Sequence, residues 1–516
     1  MKGNFLFLVF LGSILVVSSC RKDFNFKASS GNLEFSRDTV YLDTVFTNIG
    51  SATYNLKVYN RSDDDIRIPT VQLGEGAASY YRLNVDGVAG KAFDNVEILA
   101  RDSIFIFIET TVDIQEVAAA ATQFLYTDVI EFDSGSLQQT VALVTLVQDA
   151  VFLYPQQFGD GTTETLLLGL DEAGEEIRID GFYLEDNELT FTAEKPYVIY
   201  GYAAVDAGKT LTIEAGARVH FHHNSGLLIT GDGTLLVNGE PSADPEALEN
   251  EVIFEGDRLE PAFAHIPGQW GTLWFAPGST ANEINHLTIK NATAGILTEG
   301  NDGSGSPSLS LRNTRIYNSS HIGLWGKTAY IEAENLVIGN AGQAALYCNL
   351  GGHYSFKHCT FANYWNNSFR SFPTVLIDNY TAGSDLPAQD LTEAAFTNCI
   401  MYGNNSIELL LDRDEEAAFN YSFRNCLIKF EDGGQFSGHP LYDFTNPALF
   451  ENIIFNENPD FLNPSGNAFI IGEDSAANNQ GDPATALEVP FDILGTDRTA
   501  TPDLGAYQHI IFMNEE

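Results

Sequence analysis

The sequence predicts an all-β protein in two parts, a β-sandwich followed by a right-handed parallel β-helix. Three observations predict it. Short runs rich in Val, Ile, Phe, Tyr and Thr alternate with Gly, Asp and Asn along the chain, with no helical period between them. A short unit recurs through the second half at intervals mostly in the twenties. The chain, at 516 residues, is also too long for one ordinary core, whereas a repeat array extends its core coil by coil.

The chain opens with Lys2, an apolar run from Phe5 to Val17, and small residues leading to Cys20. Residues 1–19 read as a signal peptide. Val17-Ser18-Ser19-Cys20 resembles the lipobox of bacterial lipoproteins, in which the cysteine becomes the lipidated first residue of the mature chain. The resemblance implies that Cys20 is a lipid anchor; an ordinary cleaved signal is the alternative. Residues 20–32 are then anchor and linker, and Arg21-Lys22-Asp23 is similar to the export tags of Bacteroidota surface lipoproteins. An outer-membrane location is expected, facing the cell surface, with the periplasmic face as the alternative. No other stretch approaches the ~20 apolar residues of a spanning helix.

Residues 33–154 read as the β-sandwich, from strand-like segments at Thr39 to Thr47, Tyr54 to Asn60, Ser103 to Val112 and Val141 to Val147. Asp38 to Gly50, followed by Lys57-Val-Tyr-Asn60, resembles the immunoglobulin-like domains at the start of many Bacteroidota lipoproteins. A spacer role is implied. Residues 155–195 read as a linker and β-helix N-cap, and 196–516 as the β-helix with a C-terminal cap.

The repeat carries the strongest signal. His286-Leu-Thr-Ile289, Asn313-Thr-Arg-Ile316, Asn335-Leu-Val-Ile338, His358-Cys-Thr-Phe361, Asn398-Cys-Ile-Met401 and Asn425-Cys-Leu-Ile428 share one pattern. Their last residues are separated by 27, 22, 23, 40 and 27 positions, one coil each, the longest carrying an inserted loop. A leucine-rich repeat shares the interval but lacks support from leucine density. Stacked coils put Ile289, Ile316, Ile338, Phe361, Met401 and Ile428 in one interior ladder, with Leu287, Thr314, Leu336, Cys359, Cys399 and Cys426 in another. The Asn positions suit left-handed turns and side-chain stacking. Placement on an inward ladder makes the later cysteines buried thiols, with a Cys399 to Cys426 bridge as the alternative.

Phe254 to Glu260, Ile266-Pro-Gly-Gln-Trp-Gly271 and Ala292 to Ile296 resemble a group of Bacteroidota right-handed β-helix lipoproteins of unassigned function. Asn458-Pro-Asp-Phe461 and Pro502 to Tyr507 are similar to the closing segment of secreted β-helix proteins. The resemblance spans nearly the whole chain and implies architecture and location.

Function is less legible. A net charge of −44 opposes nucleic acid and anionic lipid surfaces as partners. The chain has no H-E-x-x-H, P-loop or G-x-S-x-G, and no C-x-x-C to favour zinc. No metal or cofactor is expected; calcium is conceivable in such a fold but unsupported. His220-Phe-His-His223 would put His220 and His222 outward on one strand, close enough to share a metal or a substrate proton. Nine residues past three consecutive ladder positions stand Trp325, Tyr347 and Arg370, which in register would stack as an outward stripe. Such a stripe suits a polysaccharide, aromatic faces packing on sugar rings. The expected function is glycan binding by a lipid-anchored surface protein. A polysaccharide lyase or glycoside hydrolase, and a structural or adhesive protein, are the alternatives.

Overall fold

The computed structural model describes residues 25–512 apart from 172, 245–246, 302, 304, 382 and 384–385. The signal segment and Cys20 lie outside the described residues. Beyond Asp149 the chain begins a second compact unit.

The first unit is a β-sandwich. One sheet runs in the order Lys27–Ala28, Ile66–Leu73, Gln123–Phe132, Gln139–Gln148 and Thr39–Phe46, with Ala92–Ile98 also paired to Ile66–Leu73. The other runs Glu34–Phe35, Tyr54–Tyr59, Ser103–Thr110, Tyr81–Val85 and Val88–Gly90. Period-two patterning makes the core: Ile104, Ile106 and Ile108 turn inward while Phe105 and Phe107 face out.

The second unit is a parallel β-helix. Each full coil lays down three strands in turn, forming three stacks that we number by their order in the coil. Sheet 1 includes Thr210–Glu214, Asn282–Asn285, Tyr330–Glu334 and Leu391–Thr397. Sheet 2 includes Arg218–Phe221, Leu287–Lys290, Val337–Gly339 and Ile400–Gly403, and sheet 3 includes Gly226–Ile229, Ile322–Lys327, Leu346–Asn349 and Leu409–Asp412. Sheets 1 and 2 join at the corner into a 19-stranded array, and sheet 3 has 10 strands among the described residues.

The interior ladder read from the repeat is in register throughout: Ile289 pairs Ile316, then Ile338, Phe361, Met401 and Ile428 in succession. All six are fully buried, as are Leu287, Thr314, Leu336, Cys359, Cys399 and Cys426 beside them. Cys348, Cys359, Cys399 and Cys426 are free thiols, so the bridge alternative does not form. On sheet 1 the interior ladder is aromatic, with Phe356, Phe396, Phe423 and Phe450 stacked at centroid spacings of 5.0, 5.0 and 5.4 Å. The six corner residues that open the repeat all have positive φ, from 48° at His286 and Asn313 to 57° at Asn398. Asn tolerates that geometry because its side chain bonds locally. Here Asn335 Nδ2 donates to Asn313 Oδ1 at 2.9 Å, and Asn313 to Asn285 at 2.9 Å.

Three boundaries differ from the sequence reading. Val151–Leu153, assigned to the sandwich, pairs in parallel with Tyr197–Ile199 as the first rung of sheet 2. The span 155–195 holds a hairpin, Thr165–Leu170 with Glu176–Tyr183, whose last residues Gly181 to Tyr183 begin sheet 3. The closing segment, expected to cap the end, instead lies along the outer side of sheet 2. Phe469, Ile493, Ala506 and Tyr507 bury Tyr317, Val337 and Ala362, while Ile471, Ala477 and Leu504 bury Ile400 and Leu427. The core's end is closed by Phe430, Leu441, Tyr442 and Phe450, with Phe436 and Phe444 against them.

Candidate functional site

Outward residues of sheet 2 are taken up by the closing segment from Tyr317 onward. On sheet 1 one outward ladder is small and charged, Glu283, Ser310, Glu332 and Ser355, and beside it Tyr330 packs on His353 with ring centroids 4.2 Å apart. Sheet 3 is different. Alternation against its buried Leu273, Ile296, Leu324 and Leu346 turns Trp274, Leu297, Trp325 and Tyr347 outward, and these four pair rung by rung.

Trp325 and Tyr347 therefore stack as expected, their rings 7° from parallel with centroids 5.9 Å apart, both half-buried. Arg370 does not join them. The residue opposite Tyr347 is Leu376, and Leu410 follows it. The insertion that lengthens this coil falls between Phe361 and the strand Val375–Asp378, so the nine-residue count lands inside the inserted loop. Arg370 is buried there, with Nη2 2.6 Å from Glu408 Oε1 and Nη1 2.9 Å from Glu408 Oε2. Glu408 also accepts from the Thr374 amide, the Thr374 hydroxyl and the Asn405 amide. This pair ties the insertion to the next coil.

Beside the aromatic ladder runs a polar one that the sequence reading missed. Glu299 pairs Lys327, Lys327 pairs Asn349, and Asp378 pairs Asp412. The ladders are cross-linked. Trp274 Nε1 donates to Glu299 at 2.8 Å, Lys327 Nζ donates to Glu299 at 3.0 Å, and the same ammonium sits 4.3 Å from the Trp325 ring centroid. The Tyr347 hydroxyl donates to Asp378 Oδ2 at 2.6 Å, while Asn349 and the Leu350 amide hold Asp378 Oδ1 at 2.7 and 2.9 Å. Tyr380 donates to Asp412 at 2.7 Å. Burial pushes the Asp378 carboxyl above the usual carboxylate range, opposed by those three donors. Burial and the neighbouring Asp378 push the Tyr347 hydroxyl well up as well. The indole N–H of Trp325 is enclosed and has no acceptor. A signal for these residues was available, since they stand two positions after the aromatic ladder on the same strands, on the same face.

Val219 and Phe221 fill the core and leave His220 on the opposite side of the strand, as expected, but the two histidines do not share one environment. His220 is buried, Nδ1 lying 3.3 Å from the Gly256 carbonyl, and burial lowers its pKa. His222 is exposed, with Nδ1 2.7 Å from Asp257 and its ring stacked on Tyr200. His220 faces Glu255 at 3.9 Å, so the two imidazoles engage different carboxylates. Among the described residues no group of three or more His, Cys, Asp or Glu side chains is placed to hold a metal ion.

No family model and no curated protein matches the chain. Among solved structures it is similar to a family 123 glycoside hydrolase from Clostridium perfringens, at 10% identity and TM-score 0.16, over 23% of this chain and 26% of that one. It is also similar to the ASH/PapD-like domain of human CEP192, at 13% identity and TM-score 0.15, over 26% of this chain and 94% of that one. The chain thus spans about a quarter of the hydrolase's length.

Proposed function

We propose that this protein binds a neutral extracellular glycan along the outer face of sheet 3, as a lipid-anchored protein of the cell surface. The observation that carries the reading is the Trp325 and Tyr347 pair, parallel and in register on the outer face of sheet 3. Sugar rings offer an apolar face and a polar edge, which the ladder and its flanking carboxylates complement. Glu299, Asp378 and Asp412, within a chain of net charge −44, favour uncharged saccharides over anionic ones. Screening the protein against neutral and acidic glycans tests this. Trp325→Ala and Tyr347→Ala should each weaken binding of the selected glycan by about 1 to 3 kcal/mol with the fold intact. Parent-like binding by both variants would sink the reading.

A second reading rests on Asp378 and Asp412. They face each other on adjacent rungs, and burial raises the Asp378 carboxyl above the usual carboxylate range, as the general acid of a glycosidase pair requires. Product analysis with the bound glycan separates the two. Turnover by the parent that Asp412→Asn abolishes favours the hydrolase.

A further inference from the structure

The hairpin at the start of sheet 3 closes the aromatic face at one end. Ala204 and Leu228 occupy the outward ladder before Trp274, yet both are buried, because Leu166 packs on them with Leu168 and Ile179 alongside. A chain lying along Trp325 and Tyr347 toward the first coils therefore meets a wall. At that wall is a cleft of about 530 Å³ lined by Arg178, Asp180, Tyr202, Asn224, Thr272 and Thr293. Its volume falls in the ~300 to 1,000 Å³ range of small-ligand sites. Thr272 immediately precedes the strand Leu273–Phe275, two positions before Trp274 with the buried Leu273 between them, so the cleft adjoins the ladder at that rung.

We propose that this cleft seats the terminal residue of the glycan, making the protein a recogniser of chain ends. This rests on the glycan-binding reading above. A terminal sugar carries a hydroxyl that internal residues have spent on a linkage. The cleft offers that hydroxyl both acceptors and donors. Asp180, Arg178 and Asn224 are exposed at the rim, and Arg178 is steadied by Glu176 at 2.7 Å and the Thr165 hydroxyl at 3.2 Å. The ladder itself reads ring faces and cannot tell a terminus from the middle of a chain.

The experiment uses the full chain and linear neutral oligosaccharides in three forms: both ends free, the reducing end reduced to the alditol, and the non-reducing end methylated. Altering one of the two ends should lower affinity at least about tenfold and altering the other should not. Asp180→Trp, at an exposed position, should bring the free form down to the affinity of the blocked form while circular dichroism stays unchanged. Equal binding of all three forms, or discrimination that survives Asp180→Trp, overturns chain-end recognition. If Trp325→Ala and Tyr347→Ala still weaken binding in that case, the ladder reading stands alone. If the parent binds none of the saccharides, both readings fall.

Discussion

Two buried charged or titratable residues govern what single substitutions do. Arg370 sits 6% exposed, with both its terminal nitrogens on Glu408, which is fully buried. Removing one partner strands a charge away from water, so Arg370→Met should cost about 3 to 5 kcal/mol, read as a shift in denaturant midpoint. A loss under 1 kcal/mol would show that water reaches Glu408. His358 is the second. It is fully buried and its Nε2 lies 2.9 Å from Asn398 Nδ2, an amide donor, so that nitrogen carries no proton. Burial and the nearby Arg498 guanidinium hold its pKa well below the ordinary imidazole value. A folded pKa below the unfolded ~6.5 means the unfolded chain binds the extra proton. Its contribution is therefore complete above about pH 6.5 and is lost as pH falls toward the folded value. Thermal midpoints should drop between pH 7 and pH 5, and His358→Gln should flatten part of that slope. His286 and His220, also lowered by burial, retain the rest. An unchanged slope in His358→Gln would assign the pH dependence elsewhere.

Among the elements, the closing segment decides which faces the solenoid shows. It is held by the same corner asparagines that stack the coils. Asn335 Nδ2 donates to the Phe491 carbonyl at 3.0 Å and Asn398 to the Asp482 carbonyl at 3.2 Å, while the Asp482 amide returns a bond to Asn398 Oδ1 at 2.7 Å. Arg498 reaches Asn335 Oδ1 at 3.0 Å from inside the segment. An outward-facing ladder containing Val337, Ile400 and Leu427 would be an exposed apolar edge without this cover, the kind of surface that aggregates. Leu504→Asp places a carboxylate in that seam and should cost at least about 3 kcal/mol. Limited proteolysis should then cut first between residues 457 and 512. Cleavage beginning elsewhere would mean the segment stays docked without Leu504. The hairpin does the complementary job on sheet 3, covering Ala204 and Leu228 and leaving the later rungs open.

For the whole molecule, the proposed surface location stands on Cys20. Cys20→Ala should abolish fatty-acid labelling and release the protein from the membrane fraction, and retained labelling would refute the anchor. What the sequence determined by itself is the periodic part. Coil length, the ladder from Ile289 to Ile428, the left-handed corners and the inward cysteines all follow from residue type at a fixed interval, because a coil contacts mainly its immediate neighbours. The same logic found Trp325 and Tyr347, one uninterrupted coil apart. It failed at Arg370, where an insertion breaks the count and burial depends on Glu408, 38 positions away. It resumed at Leu410, nine residues past Met401, where no insertion intervenes. Which outer face stays open was decided only by the tertiary structure, since the segments that cover sheets 2 and 3 carry no repeat and reach their partners across long stretches of chain, 156 residues in the case of Asn335 and Phe491. Stacking register is a local, repeated interaction that spacing records, whereas covering a face is a single distant contact whose partner only the folded chain selects.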